Sequence, residues 1–231
     1  MSGFVEMHGH FVYGVDDGAQ DQEAMFRLLD QYVKKGVTTA YATSHQSPGM
    51  KTFDQAAYLA HLDEARRYCE EQGYDLELLP GAELMWSPMM ILPVQSRSLP
   101  TLGDTASVLV EFLPNSRVRD IEYAVRLLTE NGYLPILAHI ERYSRLTVRA
   151  LRELREKYPV RCQVNCAAVL GDVGLFRRYR VQRCLREKLV DFVSSDAHDA
   201  LSRPVQTKKA YKILKQRFGR ETAWRLTRGR I

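Results

Sequence analysis

Five of the six histidines, His8, His10, His45, His139 and His198, end or closely follow short apolar runs with strand character, and carboxylates accompany them. Neutral imidazole offers nitrogen and Asp or Glu offers hard oxygen, a mixture that holds catalytic Mn, Fe or Zn and leaves a position open for water. The sixth, His61, has no such setting. In His8-Gly9-His10 the imidazoles are two residues apart, so on an extended backbone they project to the same side, and the small Gly9 leaves room for an ion. Asp196-Ala197-His198 repeats that spacing with one carboxylate, and Asp17 in Val15-Asp16-Asp17-Gly18 adds an oxygen from a turn. An isolated His-x-His is a weak motif. Joined by Glu83, Glu111 and His139, it points to a metal centre.

Such residues are far apart in sequence and need a scaffold that brings them together. Strand candidates are Phe4 to Val5, Thr38 to Thr43, Leu76 to Leu79, Ser107 to Val110, Leu134 to Ala138, Val160 to Val164 and Phe192 to Ser194. Helix candidates lie between most of them: Gln22 to Lys35, Phe53 to Gln72, Arg117 to Asn131, Thr147 to Lys157 and Leu175 to Glu187, then Val205 to Phe218 and Glu221 to Thr227. In the first, Met25, Leu28, Leu29 and Tyr32 recur at three- and four-residue steps, and Gly36 after Lys34-Lys35 is a stop signal. Alternating strands and helices predict an α/β fold with parallel strands, and about seven such units suit a closed or nearly closed barrel. On that scaffold His8 and His10 follow the first strand, His45 the second and Glu83 the third. Glu111 ends the fourth and His139 the fifth, while Asp196 and His198 follow the seventh. All then sit at the carboxyl ends, where barrel enzymes place their chemistry; the plainer alternative is that polar residues cap exposed strand ends.

Length and composition are compatible with one domain spanning 1–231. The chain has no apolar run of the ~18 residues that suggest a transmembrane helix, and its N-terminal residues lack a secretory signal, so a cytoplasmic protein without membrane insertion is expected. The four cysteines, Cys69, Cys162, Cys166 and Cys184, lack Cys-x-x-Cys spacing and read as free thiols. The net charge of +5 is unevenly placed, with ten Lys/Arg from Arg203 to Ile231 against the single acid Glu221. A solvated terminal helix pair explains this more simply than a polyanion partner, and no nucleic-acid motif accompanies it. Cysteine-dependent phosphatases need Cys, five residues, then Arg, and no cysteine here has that Arg. Glycine-rich loops for ATP or dinucleotides are absent as well.

The motifs resemble the PHP (polymerase and histidinol phosphatase) superfamily, and within it the manganese-dependent protein-tyrosine phosphatases of bacterial capsule and exopolysaccharide operons. The residues that carry the resemblance span nearly the whole chain. They are Met7-His8-Gly9-His10 with Val15-Asp16-Asp17-Gly18, Ala42-Thr43-Ser44-His45, Gly81-Ala82-Glu83-Leu84 and Leu109-Val110-Glu111-Phe112. Ala138-His139-Ile140-Glu141-Arg142-Tyr143, Gln163-Val164-Asn165, and Ser195-Asp196-Ala197-His198 with Ser202-Arg203-Pro204 complete the set. Asp-Asp-Gly and His-Ile-Glu-Arg-Tyr separate this branch from histidinol phosphatases. Two departures stand out: Glu6 occupies a position that is usually Asp, which is expected to alter the surroundings of the first histidine pair, and the sequence ends soon after Arg230, which speaks against assembly through a tail.

The resemblance implies a distorted (β/α)7 barrel holding three divalent ions, Mn by expectation, with Fe, Zn or Co as alternatives. His8, His10, Glu83 and Asp196 would bind the first ion. Glu83 would bridge to a second held by Glu111 and His139, and Asp17, His45 and His198 would hold the third. Water activated by the ions, giving hydroxide, would be the nucleophile. Arg142 and Arg203 would grip the phosphoryl oxygens, and His10 or His198 would serve where a general acid is needed. The implied substrate is a phosphotyrosine protein, such as the tyrosine-rich tail of a bacterial kinase controlling polysaccharide export. Two alternatives stay open: a small-molecule phosphatase such as histidinol-phosphate phosphatase, and a non-catalytic phosphotyrosine-binding module. Phe11, Tyr13, Met85 and Trp86 lie close to candidate ligands in sequence and read either as the apolar wall of a phosphotyrosine pocket or, more simply, as core.

Overall fold

The computed structural model describes residues 3–49, 53–229 and 231; Met1, Ser2 and Arg230, weighed above as terminal features, lie outside them. Among the described residues eight strands, all paired in parallel, are interspersed with helices, with none between the third and fourth. The strands are β1 (Phe4–Gly9), β2 (Val37–Ala42), β3 (Glu77–Pro80), β4 (Glu83–Met85), β5 (Ser107–Glu111), β6 (Leu134–Leu137), β7 (Arg161–Asn165) and β8 (Phe192–Ser194). The helices are α1 (Gln22–Lys35), α2 (Gln55–Glu71), α3 (Ile91–Gln95), α4 (Val118–Glu130), α5 (Val148–Lys157), α6 (Cys166–Leu170), α7 (Leu175–Arg186) and α8 (Thr207–Arg228). A short 3-10 turn, Ile140–Arg142, follows β6. Gly219, at φ 83° and ψ 165°, interrupts α8 at the expected break between two terminal helices.

Local chemistry accounts for these elements. The Asp21 side chain accepts from the Ala24 N–H to start α1, and Gly36, at φ 84°, closes it by donating to the carbonyls of Tyr32 and Val33. The face of α1 carrying Met25, Leu28, Leu29 and Tyr32 is buried, as its periodicity predicts. Parallel strands are covered on both faces, and Val108, Leu109 and Val110 of β5 are accordingly buried in succession.

The strands form two sheets, in the orders β1-β2-β3 and β4-β5-β6-β7-β8. Their margins meet at two isolated parallel bridges, His45 with Glu83 and Gly9 with Ala197. The fold class is therefore α/β with parallel strands, arranged in two sheets whose margins meet at single bridges and not in one continuous barrel ladder. This has three consequences for the expected elements. Glu83, expected in the loop after the third strand, instead opens β4 of the second sheet beyond Gly81-Ala82, and its own N–H donates to Ser44 O at 3.1 Å. The first strand is longer than Phe4 to Val5, which places His8 inside β1 and only His10 after it. Strand β6 stops at Leu137, so His139 lies beyond it, in a turn with φ 28°.

Candidate metal centre

Strand β1 and the residue after it aim the first histidine pair. Their Nε2 atoms lie 3.2 Å apart, on one side of the chain, and both residues are fully buried. The small size of Gly9 serves a different neighbour from the one expected: a Cβ at this position would strike the Tyr32 hydroxyl of α1. Gly9 thus lets α1 close against β1. The opposite end of the pattern is fastened beside the pair, because Asp196 N donates to His8 O at 3.1 Å and His10 N donates to Ala197 O at 2.8 Å.

Glu83 is the centre of the cluster. Its Oε2 lies 3.1 Å from His8 Nε2, 3.3 Å from His10 Nε2 and 3.4 Å from His45 Nδ1, and its Oε1 lies 2.8 Å from His139 Nε2. Asp196 Oδ1 is between 3.4 and 3.6 Å from His8 Nε2, His10 Nε2 and His198 Nδ1. Donor atoms converge in three overlapping groups, each with all its atoms within 4.8 Å of one another: His8, His10, Glu83 and Asp196; His10, Asp17, His45 and His198; and His45, Glu83 and Glu111. The first group has the membership that the resemblance implies for the first ion. The second adds His10 to Asp17, His45 and His198. In the third, His45 stands beside Glu83 and Glu111, while His139 Nε2 lies 3.6 Å from Glu111 Oε2.

Asp16, Gln163 and Asn165, which the sequence offered only as parts of motifs without a role, orient the cluster. Asp16 accepts from His10 Nδ1 at 2.7 Å and from the N–H groups of Gly18 and His45, which leaves His10 Nε2 facing inward. Both nitrogens of His10 therefore already have partners. Gln163 Oε1 lies 3.4 Å from His8 Nδ1 and accepts from His139 N at 2.5 Å, so one amide holds both the His8 ring and the His139 backbone. Asn165 Nδ2 donates to Asp196 Oδ2 at 2.8 Å. The available signal was Gln163-Val164-Asn165 itself, two polar residues at alternate positions of an otherwise buried strand. Glu6, two residues before His8, accepts from Ser194, Ser195 and Thr207, and burial pushes its carboxyl up to about 7 against the lowering effect of the Ser194 and Ser195 hydrogen bonds. This is the observed setting of the Glu6 departure.

Electrostatics tests whether these donors fit divalent ions. Burial opposes charge on Glu83 and Asp196, yet His8, with His139 for Glu83 and His10 for Asp196, holds both carboxyls well below their usual range. Burial together with the Glu83 charge pushes Glu111 up to about 8. Burial opposes protonation of His8, but Glu83 and Asp196 outweigh it and raise its pKa. The assembled anions thus favour positive charge on His8, whereas burial lowers His139 and His198. His139 Nδ1 and Asp196 Oδ1 make no hydrogen bond although both are buried. Converging imidazole nitrogens and carboxylate oxygens with such orphaned atoms match the donor set of divalent metals, which exchange for protons on binding. His139 and Asp196 also adopt positive φ, at 28° and 53°, a strained conformation for residues other than glycine.

At the mouth of the cluster, Arg142 Nη2 and Arg203 Nη2 donate to Asp196 Oδ2 at 2.7 and 2.9 Å. Both guanidiniums are more than a third exposed and line a cavity of about 200 Å³ with Asn165, Arg177 and Ser202. Two cations converging on open space suit an anion such as a phosphoryl group. Phe11, Tyr13, Met85 and Trp86 do not line this cavity. Phe11 is buried edge-on against Tyr32, Tyr13 stacks on His61, and Trp86 packs with Phe112 and Tyr123. All four cysteines are buried free thiols, and burial pushes Cys162 up to about 12.

The chain as a whole resembles known proteins. Tyrosine-protein phosphatase CpsB of Streptococcus agalactiae serotype V is 31% identical over 226 residues, covering 95% of this chain and 93% of its own length. A solved chain from the crystal structures of YwqE from Bacillus subtilis and CpsB from Streptococcus pneumoniae, called unique metal-dependent tyrosine phosphatases, superposes with a TM-score of 0.86. It is 28% identical, with 95% of this chain and 90% of that one covered. Histidinol phosphate phosphatase from Lactococcus lactis, at 15% identity and a TM-score of 0.57 over 95% of this chain and 92% of its own, shares the fold. Among the described residues no helix is long and apolar enough to cross a membrane. The model of the capsular polysaccharide synthesis family CpsB/CapC matches residues 4–229, and the chain belongs to that family.

Proposed function

We propose that this chain is a metal-dependent protein-tyrosine phosphatase, acting in the cytoplasm on the tyrosine-rich tail of a bacterial kinase that regulates polysaccharide export. The observation that carries the proposal is the convergence of imidazoles and carboxylates, all buried except Asp17 and the half-buried His45, behind two half-exposed arginines. The names of its relatives support the same chemistry. In this proposal the whole chain, 1–231, acts as one PHP-type domain. His8, His10, Glu83 and Asp196 would hold one ion, Glu83 and Glu111 with His45 or His139 a second, and Asp17, His45 and His198 with His10 a third, Mn being the expected metal. Bound there, divalent ions would lower the pKa of water and polarise phosphoryl oxygens, and would so supply the hydroxide nucleophile.

The chain's own residues do the rest. Arg142 and Arg203 bind the non-bridging phosphoryl oxygens in the cavity where they now share Asp196 Oδ2. Asn165 keeps Asp196 in place while the arginines turn to the substrate. Asp16 and Gln163 fix the ring orientation of His10 and His8, so that the donor atoms face inward. A phenol leaving group has a pKa of about 10 and needs little protonation to depart.

Phosphate release from a phosphotyrosine peptide and from histidinol phosphate, with chelator-stripped protein with and without Mn, tests the proposal. Turnover of the peptide only with metal is expected. Turnover of histidinol phosphate alone moves the chain to small-molecule chemistry, and tight peptide binding without release under any metal makes it a binding module.

A further inference from the structure

A second and larger cavity, about 600 Å³, lies between α5 and α7, away from the histidine cluster. Its walls combine Val148, Phe176 and Tyr179 with Arg149, Arg152 and Arg177. Phe176 is 93% exposed and its neighbour Leu175 is 81% exposed, a large apolar surface on the first turn of a helix. Arg177 lines this groove and the arginine cavity alike, so the two are continuous through one side chain. Among the described residues, no hydrogen bond or ion pair of the Arg177 side chain is found, whereas Arg149, Arg152 and Arg183 each pair with Glu153 or Glu187.

The groove is also tied mechanically to the catalytic turn. Arg180 of α7 donates to the carbonyls of Tyr143 and Glu141 at 2.7 and 2.5 Å, gripping the segment that carries His139 and Arg142. Further exposed apolar residues, Met89, Leu92, Leu113 and Leu201, lie on segments that leave the carboxyl ends of β4, β5 and β8, on the side of the candidate centre. An apolar rim with an unpaired cation on one side suits an extended polypeptide better than a small phosphate ester.

Resting on the phosphatase reading above, we propose that the α5–α7 groove docks the polypeptide flanking the phosphotyrosine, and that it selects segments carrying acidic side chains beside an apolar one. Arg177 takes the acidic side chain nearest the phosphotyrosine, and Phe176 with Tyr179 covers the apolar one. The occupant is set by charge complementarity: the groove adjoins two further arginines at the cavity mouth, so a basic segment would meet like charge on both sides.

The test compares wild type, Arg177→Glu and Phe176→Ser, all loaded with Mn, on p-nitrophenyl phosphate and on two phosphotyrosine peptides. One peptide is flanked by glutamates and a leucine; in the other, serines replace them. Both positions are exposed, so neither variant disturbs packing. Phe176→Ser is expected to raise KM for the acidic peptide about tenfold with kcat unchanged, while p-nitrophenyl phosphate and the serine peptide stay within about twofold; Arg177→Glu, whose residue also lines the arginine cavity, is expected to raise the ratio of acidic-peptide KM to serine-peptide KM about tenfold. Equal KM for the acidic peptide in wild type and both variants overturns the docking groove and leaves the phosphatase reading intact. Absence of turnover on all three substrates by wild type overturns both.

Discussion

Two kinds of strand contact divide this molecule, and equal burial hides the difference between them. Within the larger sheet, β4, β5 and β6 pair in unbroken register, and Val108, Leu109 and Val110 are buried completely. At the margins between the sheets only single bridges form, and the residues beside them are His8, His10, Glu83 and Asp196, buried just as deeply. A continuous ladder satisfies the backbone and leaves both faces to apolar packing. Where the ladder breaks, polar side chains from separate strands meet one another, and their compatibility with burial depends on mutual pairing. The seam therefore acts as a site and the ladder as a core, although exposure alone would class them together.

The largest expected effect breaks the seam. Asp196→Asn removes the charge shared by three imidazoles and two arginines. Phosphate release from a phosphotyrosine peptide should fall at least ~10³-fold, about 4 kcal/mol of barrier; an undiminished rate would mean that Asp196 is structural. The converse change, Leu109→Ala, opens the ladder. Denaturant unfolding should show a loss of about 3 kcal/mol with kcat of the folded protein almost unchanged, and a collapse of kcat instead would merge the two regions.

Metal removal sharpens the contrast at a smaller scale. Mn at a hundred times its Kd should stabilise wild type and Leu109→Ala alike by about 2.7 kcal/mol against unfolding, reversed by chelator. No stabilisation of either protein would remove the metal from the seam. Smallest is Asp16→Asn, which loosens the orientation of His10 without removing a cluster donor. Isothermal titration should show Mn binding weakened about 10- to 100-fold, and unchanged affinity would reduce Asp16 to a turn residue.

The fold was legible wherever one local signal sufficed. Asp21, the apolar steps of Met25 to Tyr32 and Gly36 mark α1 at both ends, and the structure follows them. The break at Gly81-Ala82 was not legible, because β4 has three residues and exists through pairing with β5 and the bridge to His45. Among site residues, the His8/His10 convergence follows from strand geometry. The orienting roles of Asp16, Gln163 and Asn165 do not, since each depends on a partner from another element. Gly9 is instructive: its lack of a side chain was visible, but the neighbour it accommodates, Tyr32, comes from a helix more than twenty positions along the chain.

Residue type and periodicity alone determined the strand–helix alternation, the supply of imidazole and carboxylate donors, and the absence of a cysteine-based phosphate loop. These depend on chemistry within a few residues of chain. Which carboxylate lies among which imidazoles, that Arg142 and Arg203 converge on Asp196, and that Arg177 joins two cavities were decided by tertiary structure. The physical reason is range: local preferences act over a turn of helix or a pleat of strand, whereas a shared contact between distant elements exists only once the sheets have closed on each other.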